Sequence, residues 1–223
     1  MKKALLLSLA LGIVYQASAQ RFAQSGSSAT ELTPEGWKIE ETKGDLNKDG
    51  IADLVIIGTP TDPEHMLTRD DGYVYNFNAP VLAIYWGLTD GDYCLYNQYN
   101  NIIPHPEDEF FFVDISMSVN ERGALVFDVD EFASAGSYGK NNYSVIFRYQ
   151  NDDFFLIGAE SQEYSRTTGE AKKESYNFNT HKKQVNTFNM FDDSVPNREK
   201  WLKIPAKPLR RLGSFSLGEF LED

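Results

Sequence analysis

The middle of the sequence decides the fold: Phe110-Phe-Phe-Val-Asp-Ile-Ser-Met-Ser-Val119, then Asn120-Glu-Arg-Gly123, then Ala124-Leu-Val-Phe-Asp-Val129. From Phe112 onward the residues alternate with a period of two, which is typical of a half-buried β-strand. The polar-rich face carries Phe112, Asp114, Ser116 and Ser118, and the apolar face carries Val113, Ile115, Met117 and Val119. The four residues Asn120–Gly123 indicate a turn, so this stretch predicts an antiparallel hairpin.

Similar strand patterns occur along most of the chain. They cover residues 38–42, 54–58, 73–77, 81–86, 93–96, 143–149, 154–158, 173–178 and 183–188, with a last short helix at 217–221. Short turns separate these segments, and helical periodicity is almost absent. We therefore predict an all-β protein with mostly antiparallel pairing, built as a twisted sheet sandwich or an incomplete propeller-like stack.

The N-terminal residues have the pattern of a secretory signal peptide. Met1-Lys-Lys3 precedes the apolar run 4–14, and Ala17-Ser-Ala19 forms a cleavage site of the A-x-A type. We expect cleavage after Ala19, a flexible leader over residues 20–32, and a single all-β domain over 33–223. The protein is then exported to the periplasm or the extracellular space, without a membrane span.

Composition narrows the class of partner. The formal net charge of −12 at pH 7 argues against nucleic acid as a ligand. Cys94 is the single cysteine, so no internal disulfide can form, and its strand-like context favours a buried, inert thiol.

The segment Asp45-Leu-Asn-Lys-Asp-Gly-Ile-Ala-Asp53 has the residue types of a calcium loop. Oxygen-bearing side chains at every second position turn towards one point in a tight loop, and Gly50 permits the sharp bend. Hard oxygen ligands suit Ca²⁺ better than zinc or copper, with Mg²⁺ as an alternative. An EF-hand would need a bidentate Glu where Ile56 stands. A solvated turn without metal is the other interpretation.

The stretch from Gly44 to Gly58 resembles the calcium loop of FG-GAP/VCBS-type repeats, which lies between strands of integrin-like β-propeller blades. The resemblance covers about fifteen residues. It implies a structural Ca²⁺ held by the side chains of Asp45, Asn47, Asp49 and Asp53 and by the Ile51 carbonyl.

Nothing in the sequence identifies an active site. The three histidines, His65, His105 and His181, lie in polar loops or turns, and no nucleophile, zinc or phosphate motif is present. A glycosidase needs only two carboxylates, which the sequence cannot locate among 33 acidic residues. We expect a protein that is not an enzyme.

A group of aromatic and amide residues resembles the lining of a sugar site, although the aromatic residues could equally fill the core. Its members are Tyr73, Tyr75, Trp86, Tyr96, Tyr99, Asn100 and Asn101. Three functions remain open. The first is a calcium-stabilised module that binds a glycan or protein partner in the bacterial envelope. The others are an envelope hydrolase acting on polysaccharide or peptidoglycan, and a structural or inhibitor protein that docks through a sheet face.

Overall fold

The computed structural model describes residues 21–133 and 139–221, and the predicted signal peptide lies outside them. Antiparallel sheets dominate, as predicted, with 52% of residues in strands and 5% in helices. None of the described helices has the length and apolar character needed to cross a membrane.

The described residues form fourteen strands and one short α-helix. The first half contains β1 (Ser25–Gly26), α1 (Ala29–Leu32), β2 (Lys38–Gly44), β3 (Asp53–Thr59), β4 (Met66–Thr68), β5 (Val74–Asn76), β6 (Val81–Gly87) and β7 (Tyr93–Asn100). The second half contains β8 (Phe111–Val119), β9 (Ala124–Ala133), β10 (Gly139–Gln150), β11 (Asp153–Ser165), β12 (Glu170–Asn177), β13 (Lys182–Asn189) and β14 (Arg198–Lys203). Single 3-10 turns occupy Pro63–His65 and Leu217–Glu219.

Two large sheets share one core. The first has the order β1-β7-β6-β3-β2, and the second is a seven-stranded meander, β14-β13-β12-β11-β10-β9-β8, that curls into a half-barrel. A short hairpin, β4–β5, forms a separate two-stranded sheet. Strands β2 and β8 lie side by side where the two sheets meet. This arrangement is closer to a sandwich than to a propeller.

The main core lies between the two sheets and is closed by the C-terminal segment. Apolar residues of both sheets meet there, for example Ile84 and Phe147, each with no exposed surface. Leu212, Phe215, Leu217 and Phe220 come from the C-terminal segment and are all buried in this cluster. A second cluster covers the other face of the five-stranded sheet.

Two expectations from the sequence are wrong. Residues 21–32 are not a flexible leader, because β1 pairs with β7, and Phe22, Ala29 and Leu32 are buried in the second cluster. Cys94 is exposed instead of buried, because Tyr93 and Leu95 occupy the face of β7 that packs on the second cluster, and alternation turns Cys94 to the opposite face.

Candidate functional site

The predicted calcium loop connects β2 to β3 and is held by its own side chains. The two carboxylate oxygens of Asp45 accept hydrogen bonds from the backbone N–H groups of Asp49 (3.1 Å) and Gly50 (3.0 Å). Asn47 Oδ1 accepts from the Asp49 N–H at 2.9 Å, and Asp49 Oδ1 accepts from the Ile51 N–H at 2.8 Å. Lys48 and Gly50 have φ values of 65° and 88°, which produce the tight curl of the loop.

The loop fits a hard cation in its donor chemistry. A carboxylate oxygen has two lone pairs, so Asp45 and Asp49 keep acceptor capacity beyond the hydrogen bonds above. The described residues contain no group of three or more His, Cys, Asp or Glu side chains arranged to hold a metal. The donors predicted from the sequence are instead the carboxylates of Asp45 and Asp49, the Asn47 amide oxygen and the Ile51 carbonyl, and their binding of a metal stays a prediction.

Asp53 has a structural role that the sequence pattern did not predict. Its side chain is fully buried, and its Oδ2 accepts hydrogen bonds from the backbone N–H groups of Leu46 (2.8 Å) and Asn47 (3.3 Å). Its Oδ1 accepts from the Gly87 N–H at 3.0 Å. Burial raises the pKa of Asp53, the three backbone hydrogen bonds oppose this rise, and the charge of Asp49 adds to it. Asp53 thus joins both ends of the loop to the end of β6, and its ligation of a metal stays a prediction.

The loop is also fixed to the seven-stranded sheet. Leu46 is 1% exposed and belongs to the main core. A Cβ atom placed on Gly123, in the β8–β9 turn, would lie 2.5 Å from the Asp45 carbonyl oxygen. An ion in this loop would therefore stabilise the junction between the two sheets.

The predicted ligand-binding residues do not form one site. Trp86 and Tyr96 lie between the sheets, with ring centroids 4.7 Å apart, and Tyr99 is buried in the main core. Asn100 and Asn101 are exposed at the end of β7. Tyr73 and Tyr75 lie elsewhere, on the β4–β5 hairpin. These positions agree with core packing for Trp86, Tyr96 and Tyr99.

The seven-stranded sheet carries a second candidate site on the face opposite to the core. Adjacent strands bring polar side chains into register there: Asp114 lies opposite Asp130, Asp128 opposite Ser144, and Gln162 opposite Lys173. We call this surface the polar depression. It has a volume of about 280 Å³, and its polar lining comes from Asp114, Ser116, Asp128, Asp130, Asn142, Ser144, Glu160, Gln162 and Lys173.

Several of these side chains interact with one another. Ser144 Oγ donates a short hydrogen bond to Asp128. Glu160 pairs with Lys173 at 2.9 Å and accepts a hydrogen bond from Ser175 Oγ at 3.3 Å. Four carboxylates and one lysine line the depression, so its formal charge is −4 + 1 = −3. This charge disfavours anionic ligands.

An aromatic group borders the polar depression. Phe112 lies opposite Phe132, one position beyond the Asp114–Asp130 pair on the same face, with ring centroids 5.9 Å apart. Tyr75 lies 6.2 Å from Phe112 and 4.8 Å from Tyr73, whose side chain is 54% exposed. Two of the predicted aromatic residues, Tyr73 and Tyr75, therefore pack beside Phe112, although neither lines the polar depression.

Sequence analysis missed this depression because its residues come from five separate strands. The alternation of polar residues at Asp114, Ser116 and Ser118 was visible, but the register between strands was not. The chain matches no family model, no curated protein and no solved structure.

Proposed function

We propose that this protein is an exported, non-enzymatic β-module, stabilised by one Ca²⁺, that binds a glycan in the polar depression. The observation that carries the glycan assignment is the combination of hydroxyl, amide and carboxylate groups from five strands with an aromatic border. Sugars expose many hydroxyl groups and flat apolar faces, which such groups and aromatic rings complement.

The charge of the depression narrows the ligand class. With a formal charge of −3, the depression favours a neutral or amino-sugar glycan over an acidic polysaccharide. Glycan binding is tested by titrating neutral, amino-sugar and acidic oligosaccharides by calorimetry. We expect binding of the first two classes and little binding of the third.

Point variants connect that binding to the depression. Asn142→Ala and Gln162→Ala each remove an amide, and we expect each to weaken binding about tenfold, the equivalent of about 1.4 kcal/mol. The matched control is Asn186→Ala, which removes an amide from β13 on the same face outside the depression. If no glycan binds, or if all three variants bind equally well, the assignment is wrong.

The calcium proposal rests on the loop described above, its resemblance to FG-GAP/VCBS-type loops and its position between the sheets. Because two carboxylates in one short loop repel each other, a bound cation should stabilise the fold. We expect the melting temperature to fall when EGTA removes calcium, and Asp49→Ala to abolish this difference. A wild-type melting temperature that does not change with EGTA would remove the structural ion from the proposal.

A hydrolase that acts on the same class of ligand is the second candidate. Asp114 and Asp130 lie directly opposite each other, where Cβ atoms are about 5 Å apart. Two neighbouring carboxyl groups are the minimum that a glycosidase needs. Release of reducing ends from a bound glycan, lost in Asp130→Asn, would favour the hydrolase. Binding without product release favours the binding module.

A further inference from the structure

Strand β14 forms an open edge of the seven-stranded sheet. All six of its residues are exposed, and among the described strands only β13 pairs with it. Two of its side chains are large and apolar: Trp201 is 62% exposed and Leu202 is 39% exposed. An edge with unpaired backbone groups and exposed apolar side chains is a template for pairing with another strand.

The hydrogen-bond pattern shows which backbone groups face outward. The Ile204 N–H donates to the His181 carbonyl at 3.0 Å, and the β13–β14 register continues without a shift from Lys203 to Arg198. Residues alternate between bonded and non-bonded pairs in an antiparallel ladder. Arg198, Lys200 and Leu202 therefore direct their backbone groups towards β13. Glu199, Trp201 and Lys203 direct theirs away from the sheet.

We propose that a second copy of this chain pairs antiparallel with β14, with Trp201 opposite Trp201 of the other copy. In this register Glu199 lies opposite Lys203 of the second copy, and the two-fold axis repeats this pair. The outward backbone groups of all three residues find partners. Two seven-stranded sheets become one continuous sheet of 7 + 7 = 14 strands.

The neighbouring registers are less favourable, so the sequence selects this one. A shift by two residues in one direction places Glu199 opposite Trp201 of the second copy and removes both charge pairs. A shift in the other direction places Glu199 opposite Pro205, which has no N–H to donate.

The symmetric register also keeps the cationic residues of the two copies from lying opposite one another. Strand β14 carries three cationic residues and one anionic residue, a local charge of +2 on a chain with a formal net charge of −12. In this register Lys200 lies opposite Leu202 of the second copy and Arg198 lies opposite Ile204, so no two cationic residues form a directly opposed pair. Cationic edge residues usually prevent strand pairing, but here Lys203 has a partner in the symmetric register.

Sedimentation analysis of the purified chain and three variants tests the proposal. Glu199→Lys and Lys203→Glu each place like charges opposite each other at both symmetric positions. We expect each to raise the dimer dissociation constant about tenfold or more. The double variant, Glu199→Lys with Lys203→Glu, restores opposite charges and should return to the wild-type dissociation constant.

A mixture of the two single variants provides an internal control. The Glu199→Lys chain carries lysine at both positions, and the Lys203→Glu chain carries glutamate at both. The mixture should therefore form a heterodimer, which neither variant can form alone. Unchanged circular dichroism in the single variants shows that the fold is intact, as expected for exposed side chains. A wild-type chain that stays monomeric over the concentration range, or a double variant as weak as the singles, would overturn the proposal.

Discussion

Glu174 is a buried acid that depends on its neighbours for its charge. Lys183 and Lys172 approach its two oxygens at 2.8 and 2.9 Å, and the Tyr176 hydroxyl donates to it at 3.0 Å. Burial alone would raise the pKa of Glu174, but these hydrogen bonds outweigh burial and lower the pKa to about 2. Since this value lies below that of the unfolded chain, ionised Glu174 stabilises the fold at neutral pH. The contribution is lost as the pH falls through the folded pKa.

We therefore expect Glu174→Gln to lower the free energy of unfolding by about 1–3 kcal/mol at pH 7. The difference from wild type should shrink as the pH falls from about 5 to about 2. Urea unfolding at several pH values measures this. The control is Glu160→Gln, whose partly exposed ion pair should contribute less than about 1 kcal/mol. An equal loss for Glu174→Gln at both ends of the pH range would contradict the prediction.

Asp53 allows the structural and metal-binding roles of the loop to be separated. An asparagine there would point an NH₂ donor at backbone N–H donors, either at Gly87 or at Leu46 and Asn47. We expect Asp53→Asn to cost about 2–3 kcal/mol of folding free energy even in EGTA. Asp49→Asn, at an exposed position, should cost little in EGTA. Equal losses for the two variants, measured by thermal unfolding in EGTA, would remove the structural role of Asp53.

At the scale of elements, the β8–β9 turn contacts the loop through Gly123. This glycine has φ 68°, and an added methyl group would meet the Asp45 carbonyl oxygen at 2.5 Å. Gly91 has φ 93°, but open space surrounds its Cβ position. Replacing either glycine by alanine costs about 1 kcal/mol of folding free energy, because alanine is unfavourable at a positive φ.

The difference in free energy of unfolding between the two variants therefore measures the cost of crowding the Asp45 carbonyl oxygen. We expect Gly123→Ala to destabilise the protein by at least about 1 kcal/mol more than Gly91→Ala, because the backbone at Asp45 or at Gly123 must move to admit the methyl group. Urea unfolding of both variants checks this. Equal losses would show that the turn does not support the loop.

Most strands could be predicted from the sequence because their apolar residues recur with a period of two. Strand β8 is the clearest case, since Val113, Ile115, Met117 and Val119 all face the core. Strand β14 was missed because Arg198–Lys203 is exposed on both faces and has no such alternation. The helix α1 and strand β1 were missed because their small polar residues also occur in flexible segments.

The two candidate sites also differ in how far the sequence could predict them. The loop at residues 45–53 is local in sequence, so its donors could be proposed before its geometry was known. The polar depression depends on strand register, which places Asp130 beside Asp114 and Gln162 beside Lys173. Register is fixed by the turns and by core packing together, and a single sequence pattern does not give it.

At the scale of the whole molecule, the C-terminal segment completes the core. Phe220 is 6% exposed, and its ring lies 5.4 Å from Tyr143 and 6.4 Å from Tyr176. We expect Phe220→Ala to cost about 3–5 kcal/mol. The adjacent Leu221 is 47% exposed, and Leu221→Ala should change stability by less than about 0.5 kcal/mol. Similar urea midpoints for the two variants would contradict this role of the segment.

The order of strand pairing suggests how the protein assembles during synthesis. From β9 to β14, each strand pairs with the strand that comes before it in the chain, so each can add to an existing edge as it emerges. The interior nevertheless stays open on one side until residues 212–220 arrive. Folding should therefore finish only after residues 212–220 have been synthesised, and a chain that stops before them would expose an unfinished interior to quality-control proteases.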